Sequence, residues 1–243
     1  MNQVLILDTN RPEIGLYTRN TTEGGELALV KQFVDYYCKN FLYNRLQLAV
    51  FVEPRIESGF PDIVFVSYLP SILDNWSVER EKLSLYDLKL LSYLYSAQNL
   101  SGAKIITKLG FPEKQTIGSL EKLMDANLIS YRSGCWHVRK LRDVFSITKL
   151  IAVEAKLNDI SKAVEQSFHN TWFASHSYAL TNASKPKDKT VRMLSKYGIG
   201  LYCKGACFTK CVEAKQYNLP SSYLSFQFNE WIGKALALRG DNK

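Results

Sequence analysis

Three histidines and five cysteines are few soft or imidazole ligands for a chain of 243 residues, and their spacing is wrong for zinc. Cys203, Cys207 and Cys211 recur every fourth residue, whereas zinc sites use closer pairs such as C-x2-C with a second pair elsewhere. An odd number of thiols suits reduced side chains in a cytoplasm better than a disulfide framework, and these three read as buried filler. No apolar run approaches the ~20 residues that span a bilayer. The opening MNQVLILDTNRPE lacks the basic start and long apolar stretch of a secretory signal. These absences predict a cytoplasmic protein with no membrane partner. The chain also lacks internal repeats and low-complexity tracts.

What the sequence does have is an excess of base. Lys and Arg number 31 against 23 Asp and Glu, a formal charge of +8 that favours an anionic partner. Nucleic acid is the commonest such partner for a soluble basic protein, although housekeeping domains that bind nothing acidic carry similar charge. Residues 3–7 (QVLIL) read as a short strand. From Glu23 the pattern turns helical, with Leu27, Val30, Val34, Tyr37 and Phe41 at three- and four-residue steps. LQLAVFVE (46–53) and DIVFVSY (62–68) are rich in β-branched and aromatic residues, and the Gly and Pro of PRIESGFP between them predict a hairpin. ITKLIAV (147–153) is a further strand. A helix follows it, capped by Asn158 or Asp159, with Ile160, Ala163, Val164, Ser167, Phe168 and Thr171 as its inner face. Strands at 176–181 and 199–203 and a helix at about 222–238 complete the pattern.

Residues 79–143 differ in character. LYDLKLLSYLYSAQ, GAKIITKLG and EKQTIGSLEKLMDAN read as three helices, and LISYRSGCWHVRK as two short strands around Ser133-Gly134. Three helices closed by a basic hairpin resemble a winged-helix DNA-binding domain. That resemblance implies duplex DNA contacts from Lys114, Gln115, Thr116, Ser119 and Lys122 on a recognition-type helix and from Arg132 on the wing. A helical cap with no ligand, its polar residues merely solvated, is the plainer alternative. The expected organisation is therefore a discontinuous core, 1–78 and 144–243, with an inserted domain at 79–143.

The chemistry centres on Pro61-Asp62-Ile63 and on Glu154-Ala155-Lys156. Strand side chains alternate, so Glu154 and Lys156 project from one face. Asp62 opens a neighbouring apolar strand and approaches Glu154 if the two strands are adjacent. Two carboxylates can hold Mg²⁺ or Mn²⁺, which neutralises a phosphate and lowers the pKa of an attacking water. A lysine beside them can orient that water or stabilise transition-state charge. The alternative is a strand-end salt bridge of little energetic value. These two half-motifs, in this order of elements, resemble the PD-(D/E)XK nuclease superfamily. The resemblance implies an α/β, restriction-endonuclease-like mixed sheet flanked by helices. It assigns Asp62 and Glu154 as metal ligands and Lys156 as catalytic lysine. Glu57 or Glu26 would supply a further acid, and Gln166 a glutamine near the site. Some branches place a tyrosine four residues after that glutamine; Asn170 stands there. The long interval between Asp62 and Glu154 is mostly the insert.

Two other motifs compete. E-A-K recurs at Glu213–Lys215, without a strand before it or a helix after it. Val4–Asn10 looks like the opening strand of PIN-domain ribonucleases, but the acids that family needs later do not follow, so Asp8 reads as a strand-end turn residue. The expected function is a metal-dependent endonuclease acting on DNA, with a homodimer or an activating protein as a further partner. The alternatives are a catalytically inactive DNA-binding regulator on a nuclease-like fold, and an RNA nuclease whose insert docks a protein.

Overall fold

A computed structural model describes residues 4–19, 23–98 and 100–240. The chain runs β1 (Leu5–Leu7), α1 (Gly25–Asn40), β2 (Gln47–Val52) and β3 (Ile63–Tyr68). Then come α2 (Leu85–Ala97), α3 (Gly102–Leu109), α4 (Glu113–Asp125), β4 (Ile129–Arg132), β5 (Cys135–Val138) and the short α5 (Leu141–Val144). The last part is β6 (Ile147–Lys156), α6 (Ile160–Asn170), β7 (His176–Thr181), α7 (Asp188–Tyr197), β8 (Gly200–Lys204), β9 (Phe208–Val212) and α8 (Tyr223–Gly240). The chain forms two compact units, Met1–Leu69 with Ile147–Ser221, and Pro70–Ser146 with Ser222–Lys243.

The first unit is α/β. Its seven-stranded mixed sheet has the order β1-β2-β3-β6-β7-β8-β9. β1 runs parallel to β2, and β6, β7 and β8 run parallel to one another; the remaining pairs are antiparallel. β2, β3 and β6 are nearly unbroken apolar runs because helices cover both faces of the sheet. On one face Leu29, Val30, Phe33 and Val34 of α1 pack against Phe65, Ile151, Val153 and Ala155. On the other, Ala163 and Val164 of α6 and Leu194 of α7 pack against Ala179, Leu201 and Cys203. Asp159 caps α6 by accepting from Lys162 N. The inner face of α6 turns out as Ala163, Val164, Ser167 and Asn170, while Phe168 is exposed and packs edge-on against Tyr197. Of the three late cysteines only Cys203 is buried; Cys211 is half-buried and Cys207 exposed in the β8–β9 turn.

The second unit holds α2, α3 and α4, the β4–β5 hairpin, α5 and α8. The division differs from the one expected: its boundaries fall at 69 and 147, and the C-terminal helix belongs with the 70–146 segment. The reason is packing. α8 buries Leu224, Phe226, Phe228, Trp231 and Ile232, a set too apolar on too many sides for a helix with one covered face. At its centre Glu230 accepts from Arg80 Nε at 3.0 Å and Nη2 at 2.5 Å, and Arg80 Nη2 also donates to the Val144 carbonyl at 3.2 Å. Asn229 accepts from Ser146 N at 2.9 Å. Trp76 lies over the Arg80 guanidinium at 4.3 Å. Gly233 is what lets Trp76 lie there, since a Cβ at that position would meet the indole at 1.9 Å.

Arg80 and Glu230 are both about as buried as any residue in the protein, so removing one strands the other's charge out of water. Arg80→Ala should destabilise the unit by about 3–5 kcal/mol. Replacing both, as Arg80→Met with Glu230→Leu, should recover most of that loss. Chemical denaturation followed by tryptophan fluorescence checks both; a fully stable single variant would mean the pair contributes nothing.

Candidate active site

The register of the sheet builds the site. Ile63 pairs with Val153 across the antiparallel β3–β6 ladder, so the next step brings Asp62 opposite Glu154. Val153 and Ala155 face α1, and Glu154 therefore faces α6. There its Oε1 accepts from Asn170 Nδ2 at 2.7 Å. Its Oε2 is buried with no hydrogen-bond partner. Asp62 Oδ2 accepts from Ala155 N at 2.7 Å and lies 3.8 Å from Lys156 Nζ. Lys156 Nζ also reaches Glu26 Oε2 at 3.1 Å and the Ala155 carbonyl at 2.9 Å. The three residues expected to form the site, Asp62, Glu154 and Lys156, are thus brought together, with Glu26 from the first turn of α1 as the lysine's partner.

Two residues join them that sequence reasoning passed over. Glu53 follows β2 directly and lies opposite Asp62, its N–H donating to the Asp62 carbonyl at 3.0 Å. Its side chain is buried and takes the Arg19 Nε–H, while Arg19 Nη2 stands 3.7 Å from Asp62 Oδ1. Glu53 has a φ of +47°, a left-handed conformation that a non-glycine residue adopts at a cost and keeps only where its surroundings fix it. The available signal was the strand LQLAVFVE itself, which ends in an acid just as the ITKLIAVE strand does. Arg19 lies in a loop and carried no such signal.

Other expected site residues fall elsewhere. Glu57 sits exposed in the Ile56–Gly59 turn, so the buried acid contributed by this hairpin is Glu53 rather than Glu57. Gln166 is one turn before Asn170 on α6, its Oε1 buried and unpartnered, but the side chain that meets Glu154 is that of Asn170. Glu213 of the second E-A-K accepts from Tyr178 Oη and pairs with Lys210, a structural arrangement.

In the second unit, the α4 residues expected to face DNA divide sharply. Lys114 and Gln115 are exposed. Thr116 is fully buried, its hydroxyl donating to the Pro112 carbonyl at 3.2 Å. Ser119 is buried too and donates to Asp87, whose carboxylate also completes the capping box of α2 with Ser84. Lys122 stands 3.9 Å from the same Asp87. Helical periodicity explains this: Thr116, Ser119, Leu120 and Leu123 share the inward stripe. Arg132 on the hairpin is exposed as expected.

Burial and the facing Asp62 carboxylate push Glu154 up to about 8, against the pull of Asn170, Lys156 and Arg19. Burial raises Asp62 as well, opposed by the Ala155 N–H and Lys156. Glu154 therefore keeps its proton into the neutral range unless a cation replaces it. Among the described residues no three His, Cys, Asp or Glu side chains are grouped to hold a metal by themselves. Two carboxylates with an unpartnered buried oxygen do suit Mg²⁺ or Mn²⁺, which keep several waters and complete their shell with substrate phosphate.

The folded chain keeps the Glu154 proton up to about 8, whereas the unfolded chain releases it near 4.5. Folded protein then binds more protons than unfolded across that window, so stability falls as pH rises through it. In EDTA, urea midpoints should drop between about pH 5 and pH 8, and Glu154→Gln should flatten the slope. A Gln variant with the parent's pH profile would clear Glu154 of the effect. Against known proteins, no protein-family model, no curated protein and no solved structure matches the chain.

Proposed function

We propose that the chain is a metal-dependent nuclease of the PD-(D/E)XK kind, hydrolysing phosphodiester bonds in nucleic acid. The observation that supports it most is the buried, unpartnered Oε2 of Glu154 beside Asp62, with Lys156 on the same strand. An oxygen acceptor of this kind costs a few kcal/mol unless a cation or donor occupies the space in front of it. Asp62 and Glu154 would hold Mg²⁺ or Mn²⁺, which would supply charge neutralisation at the phosphate and acidify a bound water. Lys156, its stem buried and its ammonium held by Glu26, presents a fixed positive charge for a phosphate oxygen. Arg19, half-exposed beside Asp62, offers a second cation to the backbone of an incoming strand.

On this reading the second unit, whose three helices and hairpin follow winged-helix order, recruits duplex DNA. Four exposed cations lie on the hairpin and just after it, Arg132, Arg139, Lys140 and Arg142, and the Tyr131 and Trp136 rings meet at a tilt, 4.8 Å apart, on the same hairpin. The exposed face of α4 is less suited to phosphate, for it mixes Lys114 with Glu113, Glu121 and the exposed apolar Ile117 and Met124. That face favours the second reading, in which this unit docks a protein and the substrate is RNA.

Asp62→Ala, Glu154→Ala and Lys156→Ala should each lower Mg²⁺- or Mn²⁺-dependent cleavage of plasmid, single-stranded DNA and RNA by about a hundredfold or more while leaving the chain folded. EDTA should abolish the parent's activity. A folded Glu154→Ala variant that cuts at the parent's rate refutes the assignment. Neutralising Arg132, Arg139 and Lys140 together should weaken duplex binding and reduce the log–log salt slope by about two to three. Removing Lys114 and Gln115 should do much less. Duplex affinity unchanged by the first set would leave the protein-docking reading in possession.

A further inference from the structure

On the α1 side of the sheet the first unit has a cleft of about 470 Å³, roofed by α1 and floored by the ends of β1 and β2, and reached from Asp62 through Arg19. Its walls are apolar, with Ile6, Val34 and Val52 among them, and Ile6 is 46% exposed. Its polar lining is Asp8, Asp35, Lys31 and Arg19. Among the described residues Asp8, Lys31 and Asp35 make no side-chain hydrogen bond or ion pair. Arg19 belongs to both places, since it lines the cleft and stands 3.7 Å from Asp62. Val52 is likewise the immediate neighbour of Glu53.

We infer that this cleft is a nucleobase site, taking one unpaired base of the strand whose phosphate lies at Asp62 and Glu154. The inference rests on the nuclease reading for the position of that phosphate. The chemistry of the lining selects among occupants. A lipid tail or an apolar side chain would cover Asp8, Asp35 and Lys31 without giving them partners, which is costly. A bare phosphate would meet the repulsion of Asp8 and Asp35. A heteroaromatic base has flat apolar faces for Ile6, Val34 and Val52, and its edge carries amino donors for the carboxylates together with ring-nitrogen and carbonyl acceptors for Lys31 and Arg19. The volume falls in the range of small-molecule pockets, about 300–1,000 Å³. Because a base inside a duplex cannot reach such a pocket without leaving the stack, the site favours single-stranded, frayed or mismatched positions.

The test uses full-length protein. In EDTA, titration calorimetry compares a set of nucleoside 5′-monophosphates with ribose 5-phosphate, which keeps the sugar and phosphate but has no base. At least one nucleotide should bind about tenfold or more tightly than ribose 5-phosphate. Ile6→Trp, a substitution at an already exposed position, should fill the cleft and erase that difference, as should Asp8→Ala with Asp35→Ala. Equal binding of nucleotides and ribose 5-phosphate, or a difference untouched by all these variants, overturns the inference. In Mg²⁺, an oligonucleotide made abasic beside the cut should be cleaved about tenfold or more slowly than the intact one. Equal cleavage of the two refutes the base site while leaving the nuclease reading standing. Base-dependent binding lost in Ile6→Trp, in a protein that cuts no polynucleotide, upholds the base site and removes the nuclease reading.

Discussion

Asp62 and Glu154 face each other at the ends of neighbouring strands, both nearly removed from water, and the cost of holding two negative charges there shapes what surrounds them. Water would solvate each carboxylate through several donors, and the protein replaces only part of that. Asp62 receives the Ala155 N–H and lies near two cations; Glu154 receives one amide from Asn170 and leaves an oxygen bare. The shortfall shows as raised pKa values for both acids. On the nuclease reading proposed above, a cation held between the two carboxylates would make up that shortfall.

Supplying the partial compensation commits much of the first unit. Asn170 ties the end of α6 to the sheet, Lys156 ties the start of α1 to the end of β6, and Arg19 reaches across to Glu53 and Asp62. Gly25, at the first turn of α1, lies against the Leu157 side chain just beyond the lysine, where a Cβ would come within 2.7 Å of a Leu157 methyl and push it aside. The helices on both faces are thus placed by their ends against the same small group of charges, while their buried stripes supply the cohesion.

This division explains what could be read from the sequence. Elements whose apolar spacing determines them were legible: the β2–β3 hairpin, β6, α6 and the three helices with their hairpin all emerge close to the bounds their side chains predict. Asp62, Glu154 and Lys156 were legible because a charge ending an apolar strand is conspicuous. Glu53 met the same criterion but was overshadowed by Glu57, whose place in a short turn gave no hint that it would point to solvent. Thr116 and Ser119 misled for a different reason. Small hydroxyl residues on an amphipathic helix fit either face, and only Asp87 of α2 decides that Ser119 turns inward. The affiliation of α8 was hidden because its partner Arg80 lies 150 residues away in sequence, where no periodicity reaches.

The Arg80–Glu230 pair also bears on how the second unit can work. Its core is closed by a helix from the far end of the chain, so the segment between β3 and β6 is not a self-contained insertion. A segment cut out at 79–143 would lose Glu230, Asn229 and the aromatic stripe of α8, and Arg80 would be left charged against an apolar surface.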